Sequence, residues 1–259
     1  MKNKIDIYDK NDIEILIAHS SHTFPLHSHE SFCLGMVEDG EVTFTIAGEK
    51  KTLHRGMVYI IPSDTGVRIE TASSYRYIVL CIGGRWKDLL NRYTFRSHYL
   101  ELSSPETFKK LCAAYIAGSD RTSAQALIRG IMHLMRPVMD SAADQTPITR
   151  DNSIVRDACH YIRMHAEEPF DLEQVAAAAH VSRFYLVKLF KKRMGVTPHQ
   201  YYVQTKLRIV RHRILTACKE ADLAAEVGFN DQSHLCNLFK KEMGISLSDF
   251  RRHYHETGQ

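Results

Sequence analysis

The chain contains a stretch rich in basic residues that has no acidic side chains. Between Gln174 and Lys219 there is no Asp or Glu. The same stretch carries ten Lys and Arg residues: Arg183, Lys188, Lys191, Lys192, Arg193, Lys206, Arg208, Arg211, Arg213 and Lys219. Solvated helix faces usually interleave Glu with Lys, so a stretch without acids indicates a polyanionic partner, most simply nucleic acid.

A second candidate for chemistry is the pair His27 and His29. A His-x-His pair on a strand places both imidazole rings on one face, where they can bind a metal ion or line a ligand pocket. The six cysteines are scattered, without a C-x-x-C motif, which favours reduced thiols over a disulfide framework.

The whole positive surplus lies in the C-terminal part of the chain. From Arg150 onward there are 17 Lys plus Arg against 13 Asp plus Glu, which leaves 17 of each before that residue. The 259 residues, 44% hydrophobic and 25% charged, fit one large or two ordinary globular domains and exclude a disordered or fibrous chain. With no apolar run long enough for a bilayer and a charged start, we expect a cytoplasmic protein that does not enter the membrane.

Two segments of the C-terminal part repeat each other. Residues 186–197 (LVKLFKKRMGVT) align with residues 235–246 (LCNLFKKEMGIS) at a constant shift of 49. Further upstream the shift is 48, so the second copy has one inserted residue before its second helix. Two copies of one supersecondary unit explain this pattern.

Each copy has the pattern of a helix-turn-helix. A short apolar helix and a tight turn precede a second helix with a long polar outward face. The units lie near residues 172–194 and 222–243. Candidate caps for the second helices are Ser182 in the first copy and Asn230 or Asp231 in the second. Gly195 and Gly244 suit the left-handed position that ends each helix.

Residues 32–82 have the pattern of short strands separated by turns. Val42, Phe44 and Ile46 alternate with threonines, which is the period of a half-buried strand. Candidate hairpin turns fall at Gly40, Gly48 and Gly56. Several short strands at this spacing predict a small barrel or sandwich.

Helical periodicity begins near residue 104, where Ser104-Pro105-Glu106 is typical of a helix start. An apolar stripe then recurs at steps of four, three and four: Leu127, Ile131, Leu134 and Val138. This stripe packs either on the chain's own barrel or on a second copy as a dimer seam. Residues 141–152 are polar and aperiodic, which predicts a linker between domains at 1–140 and 153–259.

The segment from about Phe170 to His253 resembles the tandem helix-turn-helix domain of the AraC/XylS family of bacterial transcription regulators. The resemblance rests on both copies, on their spacing, and on the run from Asp222 to Leu235 (DLAAEVGFNDQSHL). Leu247 departs from the family's usual proline. The strand-rich half resembles the cupin-like effector domain of the same family. The predicted fold is therefore α+β with two domains: an N-terminal cupin-like β-barrel with trailing helices, and an all-α C-terminal domain.

Cupin metal sites resemble a His-x-His pair followed by a Glu and a final His. Here the Glu position falls at Cys33 or Leu34 and the last His position near Val67, so two of the four ligands are missing. A bound metal normally has three or more protein ligands. We therefore predict that His27 and His29 have an effector-binding or structural role, that the chain holds no metal or other cofactor, and that it is not an enzyme.

The outward faces of the two second helices, and the family resemblance, predict the DNA contacts. The base-reading set is Arg183, Phe184, Lys188, Gln232, Ser233 and Asn237. Lys and Arg suit guanine edges, Gln and Asn suit adenine, and Phe184 suits a thymine methyl group unless it covers the first helix. The phosphate-binding set is Ser182, Lys191, Lys192, Arg193, Lys240 and Lys241.

The prediction is a sequence-specific DNA-binding transcription regulator controlled by a small-molecule effector in the barrel. The resemblance implies an activator, with double-stranded promoter DNA, RNA polymerase and a second copy of the chain as partners. Two alternatives stay open. The barrel only dimerises in a regulator without an effector, or the chain is a cupin metalloenzyme with a DNA-binding tail.

Overall fold

The computed structural model describes residues 4–118, 120–140, 150–215 and 220–256. The strands are β1 (Lys4–Lys10), β2 (Ile13–Ser20), β3 (Phe24–Ser28), β4 (Phe32–Asp39), β5 (Val42–Ile46), β6 (Glu49–Leu53), β7 (Met57–Ile61), β8 (Gly66–Glu70), β9 (Tyr75–Ile82), β10 (Tyr99–Glu101) and β11 (Tyr254–Glu256). The helices are α1 (Gly84–Leu90), α2 (Pro105–Gly118), α3 (Arg121–Met135), α4 (Arg150–Met164), α5 (Leu172–Ala178), α6 (Arg183–Met194), α7 (Pro198–Arg213), α8 (Glu220–Glu226), α9 (Gln232–Met243) and α10 (Leu247–His253).

The strands form two sheets that pack face to face. The larger sheet has the order β10-β7-β4-β9-β2-β1-β11, and the smaller has the order β3-β8-β5-β6. Apolar side chains from both sheets share one core, in which Phe44 of the small sheet stacks on Tyr59 of the large one with ring centroids 4.2 Å apart. The three predicted turn glycines have positive φ angles, but only Gly48 lies in a hairpin, between the paired strands β5 and β6. The turns at Gly40 and Gly56 instead carry the chain from one sheet to the other, which corrects the prediction of hairpins there.

Alternating side chains of β4 pack into two different hydrophobic cores, because successive residues of a strand point to opposite faces of the sheet. Phe32 and Leu34 pack towards helices α2 and α3, whereas Cys33 and Val37 face the second sheet. A sheet buried on both faces places β4 at the centre of the N-terminal domain.

The predicted dimer seam lies in the first of these cores. Leu127 is 1% exposed and Ile131 is fully buried against the large sheet. Leu134 and Val138 are partly buried and pack against the same cluster. The stripe is therefore not a dimer seam. It is the face by which α3 covers its own domain, as expected of an amphipathic surface helix.

The C-terminal domain contains the two predicted helix-turn-helix units, α5–α6 and α8–α9. Ser182 caps α6, and of the two candidates in the second copy Asp231 caps α9 through a 2.7 Å bond to the His234 amide. The second helices of the two units, α6 and α9, are called the reading helices below. Both end in a left-handed glycine, with φ 73° at Gly195 and 76° at Gly244. The caps thus fix the same length for both helices. Most of the predicted linker, residues 141–149, lies outside the described residues, and α4 begins at Arg150.

The two halves are joined by direct contacts along α7 and by a strand. Gln204 Nε2 donates to the Leu26 carbonyl at 3.3 Å, and Arg208 donates to the Ser28 carbonyl at 2.6 Å. At the end of the chain, β11 pairs in parallel with β1 and extends the N-terminal sheet. Of the helices described, none has the length and hydropathy needed to span a bilayer.

Candidate nucleic-acid interface and effector cavity

The first reading helix, α6, presents its predicted base-reading residues to solvent. Arg183, Phe184 and Lys188 are all exposed, and Phe184 is 77% exposed, too much for a residue that covers α5. Arg183 is held by Glu173 at 2.8 Å and lies over the Phe184 ring at 5.2 Å. The helix therefore offers an aromatic ring flanked by two cations, a surface suited to base edges and phosphates.

The second reading helix, α9, presents an uncharged set. Gln232, Ser233 and Asn237 are exposed on its outer face, while Leu235 and Phe239 are buried on the inner one. Amide and hydroxyl groups are able to donate to and accept from base edges, with little long-range attraction to phosphate.

Most of the predicted phosphate contacts are exposed at the ends of the reading helices. Lys191 and Lys192 lie in the last turn of α6, and Lys240 and Lys241 in the last turn of α9. The two remaining residues of the predicted phosphate-binding set have partners within the chain. Arg193 lies 3.3 Å from Asp151, and the Ser182 hydroxyl accepts the Tyr185 amide at 3.3 Å.

Several cations of the acid-free stretch face inward, contrary to what the charge pattern indicates. Lys206 is 6% exposed, and its Nζ donates to the Gly228 carbonyl at 2.7 Å and to the Tyr202 hydroxyl at 3.2 Å. Lys206 thus connects α7 with the turn of the second helix-turn-helix unit. Two more inward cations pair with acids that lie outside the stretch, Arg208 with Glu30 and Arg211 with Glu14. Arg213, whose side chain is 39% exposed, pairs with Glu167.

A cavity of about 690 Å³ lies between the two sheets of the N-terminal domain and the C-terminal domain. Its sheet side is lined by aromatic and sulfur-containing side chains: Phe24, Tyr59, Tyr75, Tyr77, Cys33 and Cys81. Its other side is lined by residues of the C-terminal domain, among them Gln204, Arg208, Arg211 and Phe250. An occupant of this space therefore contacts both halves of the chain.

The predicted effector residues His27 and His29 lie in the wall of this cavity. His27 Nδ1 is 2.7 Å from the Pro25 carbonyl, which only accepts, so this nitrogen carries the proton. His27 Nε2, 3.0 Å from His29 Nε2, then accepts from His29. Within the described part of the chain, no three His, Cys, Asp or Glu side chains converge as a metal-binding group.

We expect protonation of His27 to make the protein less stable in acid. Burial, followed by the neighbouring His29, Arg208 and His22, lowers the pKa of His27 from 6.5 to about 3, against the opposing bond to the Pro25 carbonyl. The unfolded chain binds this proton near pH 6.5 and the folded chain only near pH 3. The stabilisation is therefore complete above pH 6.5 and falls as the pH drops towards 3.

The measurement compares melting temperatures at pH 7 and pH 5 for the wild type and His27→Gln. The loss on acidification should be smaller in the variant, while His54→Gln, at an exposed histidine, should behave like the wild type. Equal losses in all three proteins would contradict the assignment.

The barrel also touches the C-terminal ends of both reading helices. Gly66 approaches α6 so closely that an added Cβ would lie 2.5 Å from the Met194 carbonyl oxygen. His22 Nε2 donates to the Lys241 carbonyl of α9 at 2.8 Å. Sequence reasoning missed these contacts because their partners lie far apart in the chain.

The C-terminal domain carries two capped reading helices, and it packs on a sheet domain that holds a ligand-sized cavity. Together these features define a DNA-binding transcription regulator with a ligand-binding domain. The model of the AraC-like ligand binding domain matches residues 10–149, and the model of a helix-turn-helix domain matches residues 175–253. The first match covers more than half of the chain, which therefore belongs to the AraC family.

Curated relatives agree with this assignment. The chain is 22% identical to the lactose operon transcription activator of Staphylococcus xylosus over 245 residues, covering 85% of this chain and 84% of the relative. It is 35% identical to the arabinose operon regulatory protein of Salmonella typhimurium over 104 residues, which is 39% of this chain and 36% of that protein. These relatives are regulators and not enzymes, so the metalloenzyme alternative has no support.

Solved structures agree on the fold. A ligand-free variant of ToxT from Vibrio cholerae superposes with a TM-score of 0.64 at 13% identity, covering 96% of both chains. Wild-type ToxT bound to an unsaturated fatty acid superposes with a TM-score of 0.58 at 12% identity, covering 97% of this chain and 95% of that one. The arrangement of a sheet domain followed by two helix-turn-helix units is thus shared across the whole chain.

Proposed function

We propose that this regulator activates transcription and that a small-molecule effector in the interdomain cavity controls its DNA binding. The observation that carries the proposal is the position of the segment formed by His22 and β3. His22 contacts the end of α9, Leu26 lies 3.6 Å from the position of a Cβ on Gly195 at the end of α6, and Phe24 lines the cavity. An effector that moves this segment changes the placement of both reading helices together.

The cavity lining supports an effector with an apolar body and hydrogen-bonding groups. Tyr75 and Tyr77 stack with ring centroids 5.2 Å apart and offer aromatic surface on the sheet side. Arg208 of α7 and Glu30, 3.9 Å apart, offer polar atoms of both charges near the domain boundary. Pockets of this size and mixed lining are typical of small organic ligands.

On DNA, we place α6 and α9 in successive major-groove segments about one helical turn apart, as tandem units on one DNA face require. The base-reading set proposed for α6 is Arg183, Phe184 and Lys188, and that for α9 is Gln232, Ser233 and Asn237. Because the α9 set is uncharged, α6 supplies more of the salt-dependent affinity.

RNA polymerase and a second copy of the chain are the further partners we propose, in the cytoplasm with the DNA. Support for an activator comes from relatives such as the lactose operon activator.

The DNA-binding part of the proposal is tested by selecting bound genomic fragments and sequencing them at two salt concentrations. We expect enrichment of a motif whose two elements lie about one helical turn apart, and we expect it to persist at the higher salt concentration. Binding without a motif, lost on addition of salt, would reduce the interface to phosphate contacts and contradict sequence-specific regulation.

The effector part is tested by thermal denaturation with a panel of neutral, anionic and cationic small organic molecules. A true ligand stabilises the wild type, by about 2.7 kcal/mol at a concentration 100 times its dissociation constant. The matched control is Val79→Trp, in which a larger side chain at the cavity wall fills part of the cavity. A compound that stabilises both proteins equally binds elsewhere, and a panel that stabilises neither favours a regulator without an effector.

A further inference from the structure

Two cysteines lie side by side in the wall of the interdomain cavity. Cys33 on β4 and Cys81 on β9 are directly opposite in the antiparallel register, and their sulfur atoms are 3.6 Å apart. Directly opposite residues of an antiparallel pair project to the same face of the sheet, and here that face is the cavity. Both are free thiols in the structure.

The environment makes the two thiols unequal. Their shared hydrogen bond and the neighbouring His29 hold the pKa of the Cys33 thiol well below its usual range, against the effect of burial. The same hydrogen bond and burial raise the pKa of Cys81. A thiol that ionises readily beside one that keeps its proton is the arrangement of a nucleophilic and a resolving cysteine.

Two of the other thiols in the described part of the chain, Cys112 and Cys159, lack this setting. Cys33, Cys112 and Cys159 are all buried, at 0%, 2% and 2% exposure, but Cys112 and Cys159 lie in other core clusters and do not line the cavity. Burial raises the pKa of Cys112 to about 12, and that of Cys159 also rises. They provide internal references for reactivity.

We propose that Cys33 and Cys81 form a redox-active dithiol that a hydroperoxide entering the cavity oxidises to an intrachain disulfide. The Cys33 sulfur attacks the outer oxygen of the peroxide. A sulfur–oxygen bond forms, the oxygen–oxygen bond breaks, and the departing oxygen takes the thiol proton as an alcohol, or as water when the oxidant is hydrogen peroxide. The Cys81 sulfur then attacks the Cys33 sulfenic acid, and the sulfur–sulfur bond replaces the sulfur–oxygen bond. The hydroxide that leaves takes the Cys81 proton as water.

The overall change is two thiols and one hydroperoxide to one disulfide, one alcohol and one water, with two electrons passing from sulfur to the peroxide. Closing the pair requires the sulfurs to approach from 3.6 Å to the bonded distance of about 2.05 Å. Small rotations of the two side chains achieve this, because the strands are already paired at these residues.

The experiment treats the reduced full-length protein with hydrogen peroxide or cumene hydroperoxide. Remaining thiols are blocked with N-ethylmaleimide at timed intervals, and the digested protein is analysed by mass spectrometry. We expect a peptide pair linked through Cys33 and Cys81 that reverts with dithiothreitol, formed at least about tenfold faster than any oxidation of Cys112 or Cys159.

Variants separate the two steps without relying on a single substitution. In Cys81→Ser the sulfenic acid on Cys33 has no resolving thiol, so dimedone should label Cys33. In Cys33→Ser no label should accumulate on Cys81, and Cys112→Ser should form the linked pair at the wild-type rate. Failure of the wild type to form the linked pair while its other thiols oxidise would overturn the proposal. Equal rates at Cys33, Cys112 and Cys159 would do the same.

Discussion

Replacing Glu14 with alanine is expected to lower the free energy of unfolding by about 3 kcal/mol, because it leaves the Arg211 guanidinium in the domain boundary without its partner. Glu14 of β2 is 8% exposed and forms an ion pair with Arg211 of α7. Breaking a fully buried pair costs about 3–5 kcal/mol, and the low end applies because the Arg211 side chain keeps 22% of its exposure.

The matched control is Glu70→Ala. Glu70 lies 3.3 Å from Lys50, but the two side chains are 42% and 65% exposed. An exposed pair contributes about 0–1 kcal/mol, so this variant should hardly change stability. Urea unfolding followed by Trp86 fluorescence and by circular dichroism measures both, provided that the two transitions coincide.

A double variant distinguishes loss of an ion pair from loss of packing. Glu14→Leu combined with Arg211→Met replaces both charges with apolar groups and should recover much of the lost stability. If Glu14→Ala and Glu70→Ala prove equally harmless, the contact between β2 and α7 does not hold the two domains together.

Lys188→Ala is expected to weaken binding to the selected DNA site by about 1–3 kcal/mol, and to relax the preference at one or two base pairs. The side chain is exposed on the outer face of α6, one turn beyond Phe184, where it can reach a guanine edge. Binding to random DNA should change much less, because a base contact contributes only at the correct sequence. Equilibrium binding to both DNAs measures the difference.

Lys192→Ala is the matched control, because it removes the same charge from the last turn of the same helix. It should weaken binding to both DNAs alike and reduce the slope of log affinity against log salt by about one. If Lys188→Ala shows this uniform pattern, Lys188 binds phosphate and does not read bases.

The helix-turn-helix units are the part of this protein that the sequence alone determined. Their signals are local: an apolar face repeats within a few residues, Ser182 and Asp231 cap the reading helices, and Gly195 and Gly244 end them. The β5–β6 hairpin of the N-terminal domain could be predicted for the same reason. A turn and its two strands are close neighbours in the chain.

Only the tertiary structure decided which of the basic and apolar residues remain available to partners. The charge pattern did not separate Lys188, which faces solvent, from Arg211, whose partner Glu14 lies 197 residues away. Nor did the stripe containing Leu127 reveal that its covering surface is the chain's own sheet. The pairing of Cys33 with Cys81 likewise depends on strands 48 residues apart. Local sequence patterns determine which helix or strand forms and which of its faces is apolar. Contacts between residues far apart in the chain determine what packs against that face.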